Sequence, residues 1–262
     1  MYSYKKFLSY FSILFLYPII SLATELPEDV ASGNKYEKSL TGSYYKDYGM
    51  KVVSKEGNHP VRAGEKSIRF EVRKGDCGKD KFPGTWDDCK NNRHRHELSG
   101  KPFRGESWYA YSIFIPKDFT VRVHPVKRYL AQFHQKNSWP TLMFRFGYKG
   151  YFAMTQWDGE VIDYSKLLDT KDMLGKWNDI LIHINSTSKD TGFYKVWVNG
   201  ELKYNYKGKT TEGNESYFKF GIYQTRVDEW EQTSMGDYPT DVVYYDEVRT
   251  GKVKTEVLEN IR

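Results

Sequence analysis

The sequence predicts an all-β fold built from antiparallel strands, and three observations carry that expectation. At least ten segments rich in β-branched and aromatic residues follow one another with short turns between them, and no strand–helix–strand rhythm interrupts them. Aromatic residues make up 17% of the chain, an excess that favours half-buried strands. At 262 residues the chain can bury one large core without a metal or disulfide scaffold. Charged residues at 28% exclude a polytopic membrane protein and argue against wholesale disorder. An antiparallel sandwich or barrel remains.

Taken in order, residues 1–23 stand apart. Lys5 and Lys6 precede an almost uncharged apolar run over 7–22, and Ser21-Leu22-Ala23 supplies the small residues that a signal peptidase reads. The expectation is a signal peptide cleaved after Ala23, the alternative an uncleaved anchor. Residues 24–262 then form one domain with no integral membrane segment. Its first part, to about Pro60, is a polar, extended lead-in. Strands are expected over 67–73, where Ile68, Phe70 and Val72 alternate with charged residues, and over 108–115, which stops at Pro116. Further strands follow at 129–135, 141–146, 151–157, 178–185 and 193–198. Asn199-Gly200 is a hairpin turn leading into 201–206, and strands at 217–224 and 242–249 complete the set. Residues 165–174 and the last ten read as short helices.

Export changes how the two cysteines read. Cys77 and Cys89 lie in a segment rich in Gly, Asp and Lys, and in an oxidising compartment they are expected to form one disulfide. Because His94 and His96 follow closely, a Cys/His metal site is the alternative. Loss of Lys5 and Lys6 with the leader lowers the formal charge from +6 to +4, which is mildly basic. Without Lys/Arg blocks or a nucleic-acid motif, the expected partner of a secreted or periplasmic protein is an anionic polysaccharide, with no nucleic acid.

Strand parity sorts the residues that carry chemistry. In 217–223 the core set is Phe218, Phe220 and Ile222, and the other face shows Tyr217, Lys219, Gly221 and Tyr223. Gln132 and His134 share a face opposite Ala131 and Phe133, and Arg145 opposes Leu142, Phe144 and Phe146. Over 91–99, if extended, Arg93, Arg95 and Glu97 point together, the alternative to a functional role being a surface ion pair between Arg95 and Glu97. A concave face of Arg, His, Gln, Lys and Tyr suits a sugar acid. These are the types that β-elimination on a uronic acid requires: a base for the C5 proton, an acid for the departing oxygen, and polar or cationic groups for the C6 carboxylate. No redox cofactor is needed. Glycoside hydrolysis would require a carboxylate pair instead.

The order of motifs supplies more. Arg95-His96-Glu97-Leu98-Ser99, then Trp108-Tyr109-Ala110-Tyr111-Ser112, Gln132-Phe133-His134, Gly175-Lys176-Trp177-Asn178, Trp197-Val198-Asn199-Gly200, Lys219-Phe220-Gly221-Ile222-Tyr223 and Asp246-Glu247-Val248-Arg249 follow in series. From about Pro60 to Arg249 the chain resembles the polysaccharide lyase family that includes heparin lyase I and the glucuronan lyases. The resemblance implies a two-sheet antiparallel β-jelly roll of the concanavalin-like kind. It implies His134 and Tyr223 as catalytic residues, Lys219 as a substrate-binding lysine and Arg95 as an arginine facing the substrate acid; strand parity adds Gln132, Arg145 and Tyr217 as expected substrate-binding residues. The family's N-terminal glutamine has no counterpart here, since no Gln precedes Gln132, and Asn58 or His59 is the stand-in. A structural calcium ion also enters through the resemblance, with no ligand set identified, and catalysis calls for no cofactor.

The leading expectation is therefore an exported lyase cleaving a uronic-acid polysaccharide such as glucuronan, alginate or a glycosaminoglycan. A non-catalytic carbohydrate-binding jelly roll is the alternative, and a glycoside hydrolase of the same general fold a weaker one.

Overall fold

The computed structural model describes residues 27–31, 35–39, 45–80, 86–146, 150, 152–157, 160–233 and 236–258; the expected leader, residues 1–23, lies outside them. Among the described residues fourteen strands, numbered in chain order, form two seven-stranded sheets. The first runs β1 (Tyr36–Lys38), β4 (Arg93–Gly100), β13 (Ser216–Thr225), β6 (Lys127–Gln135), β7 (Pro140–Phe146), β8 (Phe152–Trp157) and β9 (Val161–Leu168). The second runs β12 (Glu201–Lys207), β11 (Phe193–Val198), β10 (Trp177–Ser186), β5 (Gly105–Phe114), β14 (Asp241–Gly251), β3 (Lys66–Val72) and β2 (Met50–Ser54). Neighbouring strands pair antiparallel throughout, and the all-β, two-sheet jelly roll is the fold of this chain.

The alternating pattern decides which side of each strand meets the opposite sheet. Phe218, Phe220 and Ile222 of β13, Ala131 and Phe133 of β6, and Leu142, Phe144 and Phe146 of β7 are buried against Phe70, Tyr111 and Tyr245 from the second sheet. Their rings meet edge-on or tilted, as for Phe70 and Phe220 at 5.7 Å. Each such side chain contributes about 1.5–3 kcal/mol on burial, so the core outweighs any single surface contact.

Two expectations change, and the short C-terminal helix is found. Residues 165–174 are not one helix: β9 continues to Leu168, and only Thr170–Met173 turns helical. β-Branched Val161 and Ile162 start the strand, and pairing with β8 carries it past Ser165 and Lys166. The lead-in contains two strands, β1 and β2, which take up edges of the two sheets. At the C-terminus the helix covers Thr255–Leu258, and residues 259–262 lie outside the described residues.

One glycine is demanded by the geometry. Gly221 has φ +130°, and a Cβ there would lie 2.4 Å from the His96 carbonyl oxygen and 2.8 Å from the Glu97 Cα. A side chain would push β13 away from β4. On the core side, the Tyr245 hydroxyl crosses from the second sheet and donates to the carbonyls of Gly221, at 3.1 Å, and Leu130. The register of β13 against β6 shifts between Phe220 and Tyr223, and this hydroxyl satisfies carbonyls there.

Candidate active site

Because opposed residues of antiparallel strands point the same way, the register lays the polar residues out in rows on the outer face of the first sheet. One row is Ser99, Lys219, Gln132 and Met143. A second is Arg95, Tyr223, Tyr129 and Arg145. Tyr217 stands opposite His134, and Glu97 opposite Gly221. All seven residues singled out from the sequence, Arg95, Gln132, His134, Arg145, Tyr217, Lys219 and Tyr223, therefore share this face.

Glu97 is the hub of the cluster, and it is 1% exposed. Its carboxylate accepts from Lys219 Nζ at 2.7 Å, from Gln132 Nε2 at 2.7 Å and from Arg95 Nη1 at 3.3 Å. Arg95 is also held by Asp88 through two bonds, Nε to Oδ2 at 2.6 Å and Nη2 to Oδ1 at 2.7 Å. Burial alone would raise the Glu97 carboxyl, but Lys219 and Arg95 beside it hold it below the usual carboxylate range. Burial drives the Lys219 ammonium down, with Glu97 opposing that shift. Two cations and two anions thus form a neutral buried network, stable only while every member is present.

This network corrects two expectations. Arg95 and Glu97 are not a surface pair, since their side chains are 9% and 1% exposed. Lys219, 3% exposed, is not a cation presented to solvent; its ammonium is committed to Glu97. The sequence did not point to Asp88. It adjoins Cys89, whose disulfide to Cys77 closes this loop and excludes the Cys/His metal site. Its backbone N–H bonds Gly78, its Oδ1 accepts from Trp86 Nε1 at 2.7 Å, and it is fully buried. The disulfide loop therefore abuts the polar face.

His134 has an assigned tautomer by elimination. Its Nδ1 lies 2.7 Å from the Gln135 carbonyl oxygen, which can only accept, so Nδ1 carries the proton and Nε2 keeps its lone pair. None of the described residues hydrogen-bonds Nε2. Burial, helped by the Lys219 charge, pushes the imidazole down to about 4, so it is neutral near pH 7. The Tyr217 hydroxyl lies 3.2 Å from Nδ1, with the two rings stacked at 5.3 Å. Burial, helped by Glu97, pushes that phenol up to about 12 and keeps it protonated.

Tyr223 occupies a different place. Its hydroxyl accepts from Arg93 Nε at 3.0 Å, its ring lies 4.1 Å from the Arg95 guanidinium carbon, and Tyr129 stacks against it at 5.7 Å. The tyrosine beside His134 is Tyr217. Arg145 sits over Tyr164 and Tyr129, at 5.2 and 5.9 Å from the ring centroids. His59, one of the two residues expected to stand in for the missing glutamine, lies 3.2 Å from the Tyr244 hydroxyl of β14, on the second sheet rather than on the sheet that carries His134. Among the described residues no group of three or more His, Cys, Asp or Glu side chains is placed to hold a metal ion.

A face with a neutral imidazole, a protonated phenol and amide and guanidinium donors within a few residues can move protons and receive an anion. Comparison with known proteins agrees with that chemistry at the level of family. No curated protein matches the sequence. In fold, the chain is similar to an endo-β-1,4-glucuronan lyase from the fungus Trichoderma reesei, with a TM-score of 0.58 and 16% identity over 86% of this chain and 97% of that one. It is similar also to an alginate lyase from Pseudomonas aeruginosa, at TM-score 0.50 and 16% identity over 84% and 98% of the two chains. A β-glucanase catalytic domain from Podospora anserina superposes at TM-score 0.53 and 12% identity over 85% and 87%. These likenesses concern fold alone, and the fold hosts more than one chemistry. The sequence itself decides the family: residues 41–249 match the family model described as polysaccharide lyase, and the chain belongs to that family.

Proposed function

We propose that this protein is an exported lyase that cleaves a uronic-acid polysaccharide by β-elimination, with His134 as base and Tyr217 as acid. The observation that carries the reading is the pairing of a neutral His134, its Nε2 lone pair uncommitted, with a protonated Tyr217 hydroxyl 3.2 Å from the same ring. Nε2 takes the C5 proton. The C5–H electron pair becomes the C4–C5 double bond, and the C4–O pair leaves with the glycosidic oxygen, which receives the Tyr217 proton. Charge developing on the C6 carboxylate meets the second amide hydrogen of Gln132 and the two Arg95 N–H bonds that Asp88 and Glu97 leave unused. Tyr223 holds the Arg95 guanidinium over its ring, in a positioning role.

Hydrolysis is disfavoured because the carboxylates at the centre of this face, Asp88 and Glu97, are buried and bound to Arg95 and Lys219. Export is supported by the leader-like residues 1–23 and by the Cys77–Cys89 disulfide. The test is incubation with glucuronan, alginate and glycosaminoglycans, following the ultraviolet absorbance of the unsaturated product. Binding without absorbance on every polymer would replace the lyase with the carbohydrate-binding module, and new reducing ends without absorbance would indicate a hydrolase.

A further inference from the structure

The end of the outer face farthest from His134 is strongly basic. Arg93, Thr225 and Lys127 form one row across β4, β13 and β6, and Arg145 points from the next row. Arg226 follows β13 directly, and with Lys127, Arg145 and His124 it lines a cavity of about 410 Å³. Among the described residues these cations make one ion pair, Arg226 with Glu229, and that single carboxylate also supports the Lys127 and His124 charges, one acid against four basic side chains and a histidine. Among the described residues Arg145 Nε is buried without a hydrogen-bond partner. Desolvation depresses the Lys127 ammonium, and Arg145, Arg226 and Arg93 crowd it further. Like charges gathered around a cavity, with an unsatisfied guanidinium N–H, are repulsive until an anion enters. Lys127 and His134 lie seven positions apart on β6, about 23 Å at strand rise.

We propose that Arg93, Lys127, Arg145 and Arg226 form an anion site that holds a carboxylate of the same polyuronate chain several sugars away from the bond being cleaved. The inference rests on the lyase reading for the identity of its ligand. Long chains reach both the basic cavity and His134, whereas a disaccharide at His134 does not. The site therefore acts as a length sensor, adding affinity only once the chain spans the face.

The experiment measures calorimetric affinity and steady-state elimination for size-fractionated oligoglucuronates and oligomannuronates, using wild type and Lys127→Gln/Arg226→Gln. Wild-type affinity should rise with length and then level off. In the double variant Kd and KM for long oligomers should rise about five- to tenfold, as expected for two partly exposed charges. Disaccharide affinity and kcat should not change, and the length-dependent gain should shrink at high salt. An equal loss at every length, or no length dependence in wild type, overturns the proposal. Length-dependent binding of oligomers that are never cleaved would leave this site standing and overturn the lyase reading alone. Single variants at Lys127 and Arg226, each checked by circular dichroism, separate loss of the anion site from misfolding.

Discussion

The Tyr217 hydroxyl and His134 Nδ1 lie 3.2 Å apart across the β13–β6 pair, whereas Tyr223 faces Tyr129 in the same two strands. Tyr217→Phe keeps the ring stack and removes the proton donor. Turnover should fall by roughly two to four orders of magnitude, the usual worth of general acid catalysis. Tyr223→Phe loses only the acceptor for Arg93 and should act more weakly on kcat. Steady-state elimination rates of the two folded variants decide the matter, and the reverse order of severity would return the acid role to Tyr223.

The pH profile should be unusually broad. With the base at about 4 and the acid at about 12, both are in their working protonation states between those limits. The acidic limb of kcat/KM should therefore lie near 4, well below the ordinary histidine value of about 6.5. Stability follows the same group. Because the folded-state pKa of His134 is depressed, the unfolded chain binds more protons between about 6.5 and 4, so this contribution is fully present above 6.5 and is lost as pH falls through 4. His134→Ala should abolish the limb, as seen by pH-dependent rates and urea melts.

Lys219→Met leaves Glu97 short of its closest cation inside the sheet face. We expect a loss of about 3–5 kcal/mol, characteristic of an uncompensated buried charge. Pairing it with Glu97→Gln should recover much of that loss. Denaturant midpoints of the two single variants and the double one give the coupling; additive effects would show that the two groups act separately.

Reducing Cys77–Cys89, or replacing both by serine, should cost about 3 kcal/mol by the chain-entropy account. It should also lower kcat in protein that remains folded, because Asp88, the neighbour of Cys89, holds Arg95. Asp88→Asn with the disulfide intact should reproduce the kinetic part. Full turnover in folded, reduced protein would detach the loop from the chemistry.

Much of the fold and the polar face was legible because one rule, alternation in a strand, governs both. That rule correctly put Lys219 with Tyr223, Gln132 with His134, and Arg145 opposite Phe144. It could not choose between Tyr217 and Tyr223, which share parity; only the register against β6 does so. Nor could it reveal that Arg95 and Lys219 are neutralised, since Asp88 arrives from a loop and the depth of Glu97 depends on the close approach that Gly221 permits. β9 escaped because Asp163, Ser165 and Lys166 at a sheet edge lack a clear apolar period.

The Tyr245 hydroxyl on the Gly221 and Leu130 carbonyls has a consequence for the order of biosynthesis. Every residue of the polar face precedes Asp241 in the chain, yet β14, which carries Tyr245, lies between β3 and β5 in the interior of the second sheet. A nascent chain ending before residue 241 would hold all the chemical groups without the backbone support that sets them. We therefore expect ribosome-stalled chains of that length to yield no unsaturated product, with activity emerging only when the last strand is delivered.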